Sequence, residues 1–463
     1  MVPLFLQPDC SIVAGERGPI LSRQGVPVAH QLQLAEAIAL TFLSATGDRE
    51  EAEKYCNDCL PGGNGSQWVH HVINRYWTYL GKGPARPLDF TWLEGIDRDR
   101  VPRRTLHREA APAAITWLVT LSCNRHCPYC FYHPRYHPIS SSDPPADTTF
   151  PLPEAIRMVQ DMARIGTADL YLTGGEPLLR KDLIEIIQIA YRVNVRTHLA
   201  TKFPIERALA GRLARAGLTS VTLSLDDARP REASVLAGSP QYLSAAEQAI
   251  HALLEIEISV EINAVATRVN MAHLDLLAEL AIRLKVPKLS ISPFIPPYPR
   301  RPKDARLAAA VNLKALIKTL QERYGSQLLL TLGRSSFRGE SRNGRDAPQL
   351  CCDVGLQALN VLPDGTVTRC RYLPGYPELI VGSLKHQTLL EIWESPPLAA
   401  LSNPDQNLYE GTPCAGCDFF TACTARGRCY FTALNNAGHL YAPDIFCLKG
   451  IDHETGAGVS LGT

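Results

Sequence analysis

Six short apolar runs, ITWLVTL, ADLYLT, RTHLAT, SVTLSLD, SVEINAVAT and KLSIS, recur between residues 115 and 292. Amphipathic stretches such as LIEIIQIAYRV and HLDLLAELAIRL lie between them. Strands that alternate with helices pair in parallel, because each helix returns the chain to the same end of the sheet. Six such units over about 180 residues predict an α/β fold, a partial (β/α)6 TIM-like barrel. The chain has 463 residues, so this barrel leaves room for further domains on both sides.

Before the barrel, PLFL, SIVA, PILS and VPVAH read as short strands separated by Gly and Pro. Leu34, Ile38, Phe42 and Leu43 form a helical stripe, and after PGGNG a second stripe runs through Val69, Ile73, Tyr76 and Leu80. Residues 97–108, DRDRVPRRTLHR, are charged and lack periodicity, as a linker does. After the barrel, a helix is expected over Asp304–Tyr324, and GRSSFRGESRNGRDA reads as a second linker. The expected organisation is 1–93 as an N-terminal α+β domain, 94–112 as linker, 113–325 as barrel, 326–350 as linker, and 351–463 as a loop-rich, Cys-rich domain.

The charge balance is near zero, with 47 Lys+Arg against 46 Asp+Glu. It gives no footprint for bulk nucleic acid or an anionic membrane. No apolar run approaches the length of a membrane span, and MVPLFLQPDC lacks the basic start of a signal peptide, so a cytoplasmic location is expected. In a reducing compartment, clustered cysteines mean metal or catalysis rather than disulfides. The chain has 14 cysteines. Three form Cys123-x3-Cys127-x2-Cys130 directly after a strand, and eight lie between Cys351 and Cys447.

Three thiolates on a tight loop suit a four-iron cluster with one iron left open to a ligand. A zinc loop completed by His126 or His133 is the alternative. One βα unit later comes Thr173-Gly174-Gly175-Glu176-Pro177. Its glycines permit close backbone approach to a ligand, and its carboxylate can accept from an amino group.

The CxxxCxxC loop, with aromatic Tyr129 before its last cysteine, and the GGEP segment together resemble the radical S-adenosylmethionine (radical SAM) superfamily over about residues 113–325. The resemblance implies S-adenosyl-L-methionine chelated to one [4Fe-4S] cluster on Cys123, Cys127 and Cys130. Tyr129, Gly174, Gly175, Glu176 and Pro177 would border that cofactor, and Ser224 and Asp226 on the fourth strand would reach its ribose. Asn263 and Arg268 are weaker candidates. The C-terminal pattern of Cys352, Gly355, Cys370, Cys414-x2-Cys417-x5-Cys423-x5-Cys429 and Cys447 resembles the SPASM extension. That resemblance implies two auxiliary [4Fe-4S] clusters. Cys414, Cys417, Cys423 and Cys447 would hold one; Cys352, Cys370 and Cys429 would hold the other, with Cys351 as a further ligand. Two departures stand out: the last interval of the run is five residues rather than three, and Cys351 is adjacent to Cys352, whose side chain an extended backbone points the other way.

The N-terminal unit resembles the winged-helix-like peptide-recognition modules of peptide-modifying radical enzymes, which bind a leader peptide by strand addition. The order of parts implies a maturase of a ribosomal precursor peptide, forming a thioether or carbon–carbon crosslink, excising a tyrosine-derived fragment, or epimerising a residue. The implied partners are the precursor peptide, an external electron donor and a small helper protein. A sulfatase maturase is the alternative within the superfamily, but Arg371 stands where those enzymes carry a catalytic Asp. A zinc-ribbon binding protein is the alternative outside it. Cys10, Cys56 and Cys59 read as core thiols, and the four arginines of the second linker as solvated.

Overall fold

The computed structural model describes residues 3–444 and 447, apart from 16–17, 27, 61–63, 94–108, 132–149, 295–312 and 333–351. The first linker from residue 94 to 108, the FYHPRYHP loop beyond Phe131, the start of the Asp304 helix, the linker arginines and Cys351 lie outside the described residues.

The N-terminal unit opens with β1 (Phe5–Leu6), β2 (Cys10–Gly15), β3 (Gly18–Arg23) and β4 (Ala29–Gln31), then α1 (Leu34–Thr46), α2 (Arg49–Cys59) and α3 (Gly65–Arg75), and ends with β5 (Leu80–Gly81). Strands β2, β3 and β4 form an antiparallel sheet, and β5 pairs with β1. Leu21, Leu40, Leu43, Val69, Val72 and Cys56 meet in a separate core. Cys10 is also buried there while Cys59 is exposed. The second stripe is shorter than its period suggests. The helix stops at Arg75; Trp77–Tyr79 tightens into a 3₁₀ turn and Leu80 leaves to pair with Leu6.

Each of the six predicted runs is a strand. The elements follow as β6 (Ala114–Thr120), α4 (Leu152–Ile165), β7 (Asp169–Gly174), α5 (Leu183–Arg192), β8 (Arg196–Thr201), α6 (Arg207–Ala216), β9 (Ser220–Ser224), α7 (Pro230–Ala237), α8 (Tyr242–Leu254), β10 (Ser259–Ala266), α9 (Leu274–Arg283), β11 (Lys288–Pro293) and α10 (Leu313–Tyr324). A seventh parallel strand, β12 (Leu329–Leu332), extends the sheet beyond β11 and falls inside the segment expected to be linker. At the other edge the C-terminal part supplies β13 (Ala358–Val361), parallel to β6, followed by the antiparallel strands β14 (Thr366–Thr368) and β15 (Ile380–Ser383). The remaining helices are α11 (Leu389–Trp393), α12 (Pro396–Ser402), α13 (Phe420–Ala425) and α14 (Tyr430–Ala437).

The sheet therefore stays open, with β12 and β15 at its two ends. Its strands alternate in burial. Leu170, Leu172, Leu199, Val221, Leu223, Val260 and Ile262 pack against the helices. The opposite face carries Asp169, Tyr171, Arg196, His198, Thr222, Glu261, Asn263 and Lys288, all half-buried. A closed parallel barrel fills its interior with branched apolar side chains. The inner face here is instead polar and half-buried, unlike a packed barrel core.

The N-terminal unit is seated on the barrel by polar contacts. Arg196 holds Asp169 at 2.7 Å and donates to the Asn74 side chain and carbonyl at 3.0 and 2.7 Å. Asn194 donates to the carbonyls of Trp77 and Leu80. Tyr79 packs so closely on Gly166 that a Cβ there would meet its ring at 2.2 Å. His30 is buried in this joint, 3.1 Å from the Tyr79 hydroxyl, with Arg75 donating to its other nitrogen at 3.4 Å. Burial, with Arg75 adding, pulls its pKa down from 6.5 to about 3. The folded chain must therefore keep His30 neutral. Its contribution is intact above the ordinary value and is lost as pH falls from there toward 3. We expect the wild-type protein to lose about 2 kcal/mol from this site by pH 5. Denaturant midpoints measured across that range should fall less steeply in His30→Gln.

Candidate functional site

The Cys123–Cys130 loop leaves the carboxyl end of β6, and neighbouring backbone fixes it from two sides. Gly175 N–H donates to the Thr120 carbonyl and Glu176 N–H to the Ser122 carbonyl, each at 2.8 Å. Gly174 has φ +133°, and a Cβ at Gly174 or Gly175 would meet the Thr120 or Ser122 carbonyl at 2.4 or 2.3 Å. The close approach that these glycines allow is thus made to the stem of the thiol loop. On the other side, Gly238 at φ +60° lies against the backbone of His126, leaving no room for a Cβ. Arg125 ties the loop to Ser239 and to the Lys202 carbonyl. A turn from Cys130 N–H to the Cys127 carbonyl folds the loop on itself. Burial pushes the Cys127 thiol up to about 12, with Lys202 opposing, and Asp226, Cys130 and Cys123 adding at close range.

The Glu176 carboxylate is spent inside the chain. It accepts from Thr201 Oγ1 at 2.7 Å, from Leu178 N–H and from Lys202 N–H, and burial raises its pKa against those bonds. Asp226 is likewise committed. Its Oδ1 accepts from Val265 N–H at 2.9 Å, while Oδ2 accepts from Lys202 Nζ at 2.8 Å and from the Tyr129 hydroxyl at 2.5 Å. The Ser224 carbonyl accepts from Lys202 Nζ and from the Tyr242 hydroxyl. Asn263 sits on the inner face against Ser292, and Arg268 is exposed.

Sequence reasoning missed Lys202, although it follows the RTHLAT strand directly. Its ammonium lies over the rings of Tyr129 and Tyr242 and is only 11% exposed. Burial alone would lower its pKa, but Asp226, Tyr242 and Cys127 outweigh that and raise it, so it stays charged beside the thiol loop. Two positions linked to it, Asn270, which holds the Asp226 carbonyl, and Tyr242, were also not singled out. Their signal is weak, because only the fold brings them to the end of β9.

The C-terminal thiols gather as two groups. Cys370 is pushed up to about 12 by burial, with Cys429 and Cys352 adding at close range. Cys414 is raised by burial, with Arg428 opposing and Cys447 and Cys417 adding. Cys423 is half-buried on α13. Two buried arginines reach these groups: Arg369 donates to Cys352 Sγ at 3.0 Å and Arg428 to Cys414 Sγ at 3.4 Å. Phe131 meets Tyr372 at a tilt of 50°, and Tyr372 stacks on Phe431, so aromatic rings join the first thiol loop to the Cys370 segment. Arg371 lies over the Tyr372 ring.

The donor sets fit iron–sulfur clusters: grouped thiols, with a buried guanidinium whose Nε and Nη2 have no acceptor among the described residues. Replacing Lys202 with Met leaves a buried carboxylate without its cation, at a cost of about 3–5 kcal/mol. Chemical denaturation of Lys202→Met against wild type measures that loss, and Glu257→Gln, on the surface, should leave stability unchanged.

Residues 117–281 match the Radical SAM superfamily, and residues 351–418 match SPASM, an iron–sulfur cluster-binding domain. The chain is 27% identical over 361 residues to a PqqA peptide cyclase of Rhizobium meliloti, covering 76% of this chain and 92% of that protein. It is 26% identical over 338 residues to an AdoMet-dependent heme synthase of Methanosarcina barkeri, covering 69% and 93%. The fold matches Streptococcus suis SuiB bound to S-adenosylmethionine with a TM-score of 0.60 at 15% identity, covering 96% of this chain and all of that one. None of the described helices is long and apolar enough to cross a membrane. The thiol loop and the glycine-rich turn bolted to its stem lie in or beside the matched barrel and the grouped C-terminal thiols in or beyond the second match, so the chain carries a Radical SAM domain followed by a SPASM iron–sulfur cluster-binding domain.

Proposed function

We propose that this enzyme matures a ribosomally made precursor peptide by joining two of its residues, with a carbon–carbon crosslink as the leading product. The observation that carries the proposal is the order of three parts in one chain. A unit of five short strands and three helices is fastened to the barrel through Asn74 and Arg196, a thiol loop stands at the barrel mouth, and two further thiol groups follow. SuiB, whose fold covers nearly the whole of this chain, is known with its precursor peptide SuiA bound, and the Rhizobium relative carries the name of a peptide cyclase. These likenesses support the reading.

In this reading Cys123, Cys127 and Cys130 hold the first four-iron cluster, where S-adenosylmethionine, when bound and reductively cleaved, supplies a 5′-deoxyadenosyl radical for hydrogen abstraction. Gly174, Gly175 and Pro177 border the cofactor through backbone, since Glu176 is committed to Thr201 and Lys202. Tyr129 and Lys202 fix the loop through Asp226. The polar inner face of the barrel, with Tyr171 stacked on His198 at 4.5 Å, receives the peptide. Its leader adds as a strand to the N-terminal sheet, whose outer strands are β2 and β4. Cys352, Cys370 and Cys429 hold one auxiliary cluster; Cys414, Cys417, Cys423 and Cys447 hold the other. An external donor supplies electrons in a reducing cytoplasm.

Haem formation is the second reading, because one relative carries that name. Anaerobically reconstituted protein, reduced and given S-adenosylmethionine, should yield 5′-deoxyadenosine. The Cys123/Cys127/Cys130→Ala variant should yield none and hold about four fewer irons. A peptide encoded beside the gene should lose one hydrogen from each joined residue, as mass spectrometry would record. Turnover of a tetrapyrrole with no change in any such peptide would move the enzyme to the second reading. Absence of 5′-deoxyadenosine from iron-loaded wild type would end both.

A further inference from the structure

Each group of C-terminal thiols has one buried arginine of its own. Arg369 is 1% exposed and donates through Nη1 to Cys352 Sγ at 3.0 Å. Its Nε and Nη2 have no hydrogen-bond acceptor among the described residues. Such orphaned donors are costly to bury, so that space calls for acceptors or negative charge. Arg428 is 7% exposed and donates through Nη2 to Cys414 Sγ at 3.4 Å and to the Ala442 carbonyl at 3.1 Å. The rings of Tyr409 and Phe420 cover its guanidinium at 4.5 and 5.3 Å. The sequence carries the sign of this arrangement as a repeated Arg-Cys pair, Arg369-Cys370 and Arg428-Cys429. The second arginine reaches across: it precedes a cysteine of the first group and points to a thiol of the other.

We propose that Arg369 and Arg428 are positioning residues that raise the reduction potentials of the two auxiliary clusters, one arginine to each cluster. The proposal rests on the reading that each thiol group holds a four-iron cluster. Reduction adds one electron, and so one negative charge, to a cluster core. A buried cation and N–H···S bonds stabilise that added charge more than they stabilise the oxidised state. Low local polarity enlarges the effect, because water does not screen a guanidinium enclosed by aromatic rings. Neither arginine exchanges a proton in this role, since a guanidinium stays charged at any working pH.

The test is a redox titration of the full-length, iron-loaded protein, followed by electron paramagnetic resonance, on wild type, Arg369→Gln, Arg428→Gln and the two Arg→Lys forms. Arg369→Gln should move the midpoint of one auxiliary cluster to more negative potential and leave the other in place. Arg428→Gln should do the same to the other cluster. Each Lys form, which keeps the charge and a donor, should recover part of the shift. Unmoved midpoints at full iron content overturn the proposal, as do equal shifts of both clusters in either variant. Loss of one cluster's iron in both the Gln and Lys forms also overturns it, by assigning the arginine to folding alone. A wild-type protein with about four irons per chain instead of about twelve would sink the cluster reading itself, which separates the two failures.

Discussion

A single buried ion pair, Lys202 with Asp226, organises the mouth of the barrel. The ammonium comes from the end of β8 and the carboxylate from just beyond β9, and the carboxylate also holds the backbone of β10 through Val265. Tyr129 brings the thiol loop into the same knot, and Arg125 returns from that loop to the Lys202 carbonyl. Removing charge from water is expensive, and such a pair is worth its desolvation only when every remaining lone pair and proton finds a partner. Here they do: Lys202 has Asp226, the Ser224 carbonyl and two aromatic faces. Three strands and a loop from four separate stretches of sequence are thereby locked in one arrangement.

The inner face of the barrel and the seat of the N-terminal unit are two ends of one polar network. Asp169 accepts from both Arg196 and His198; Arg196 reaches out to Asn74, and His198 stacks on Tyr171 inside the barrel. Burial raises Asp169, but Arg196 and His198 outweigh it and hold the carboxyl below its usual range. The inner face of the barrel and the seat of the N-terminal unit thus share one carboxylate, Asp169, as their common anchor.

The parallel strands were legible because each is an apolar run bounded by turn residues, and α5 and α9 because their apolar period is unbroken. Strand β12 was overlooked even though LLTL is apolar: it is four residues long and borders a polar stretch that reads as linker. The glycines of GGEP were recognised as a close-approach motif, but sequence cannot say what approaches, and the partner is the carbonyl backbone of residues 120 and 122. The expected grouping of the C-terminal cysteines came from the resemblance of their order to the SPASM extension. The cations beside the thiols, Lys202 at the first loop and Arg369 and Arg428 at the later groups, were not legible, because each acts through a contact 14 to 24 residues away. Long cations between hydrophobic runs look like surface until the fold covers them.

The strand that carries the thiol loop is completed from far along the chain. Ala114 pairs with Ala358 and Trp117 with Val361, so one edge of β6 is closed only by β13. At about 5–20 residues per second, a nascent chain leaves that edge open for roughly 10–50 s of synthesis after β6 emerges. During that interval an apolar strand with unpaired backbone groups is exposed beside the thiol loop, the form of surface that recruits other chains. The C-terminal domain thus serves the barrel as its last stave, and a message truncated before codon 358 would release a protein with an adhesive edge instead of a smaller working enzyme.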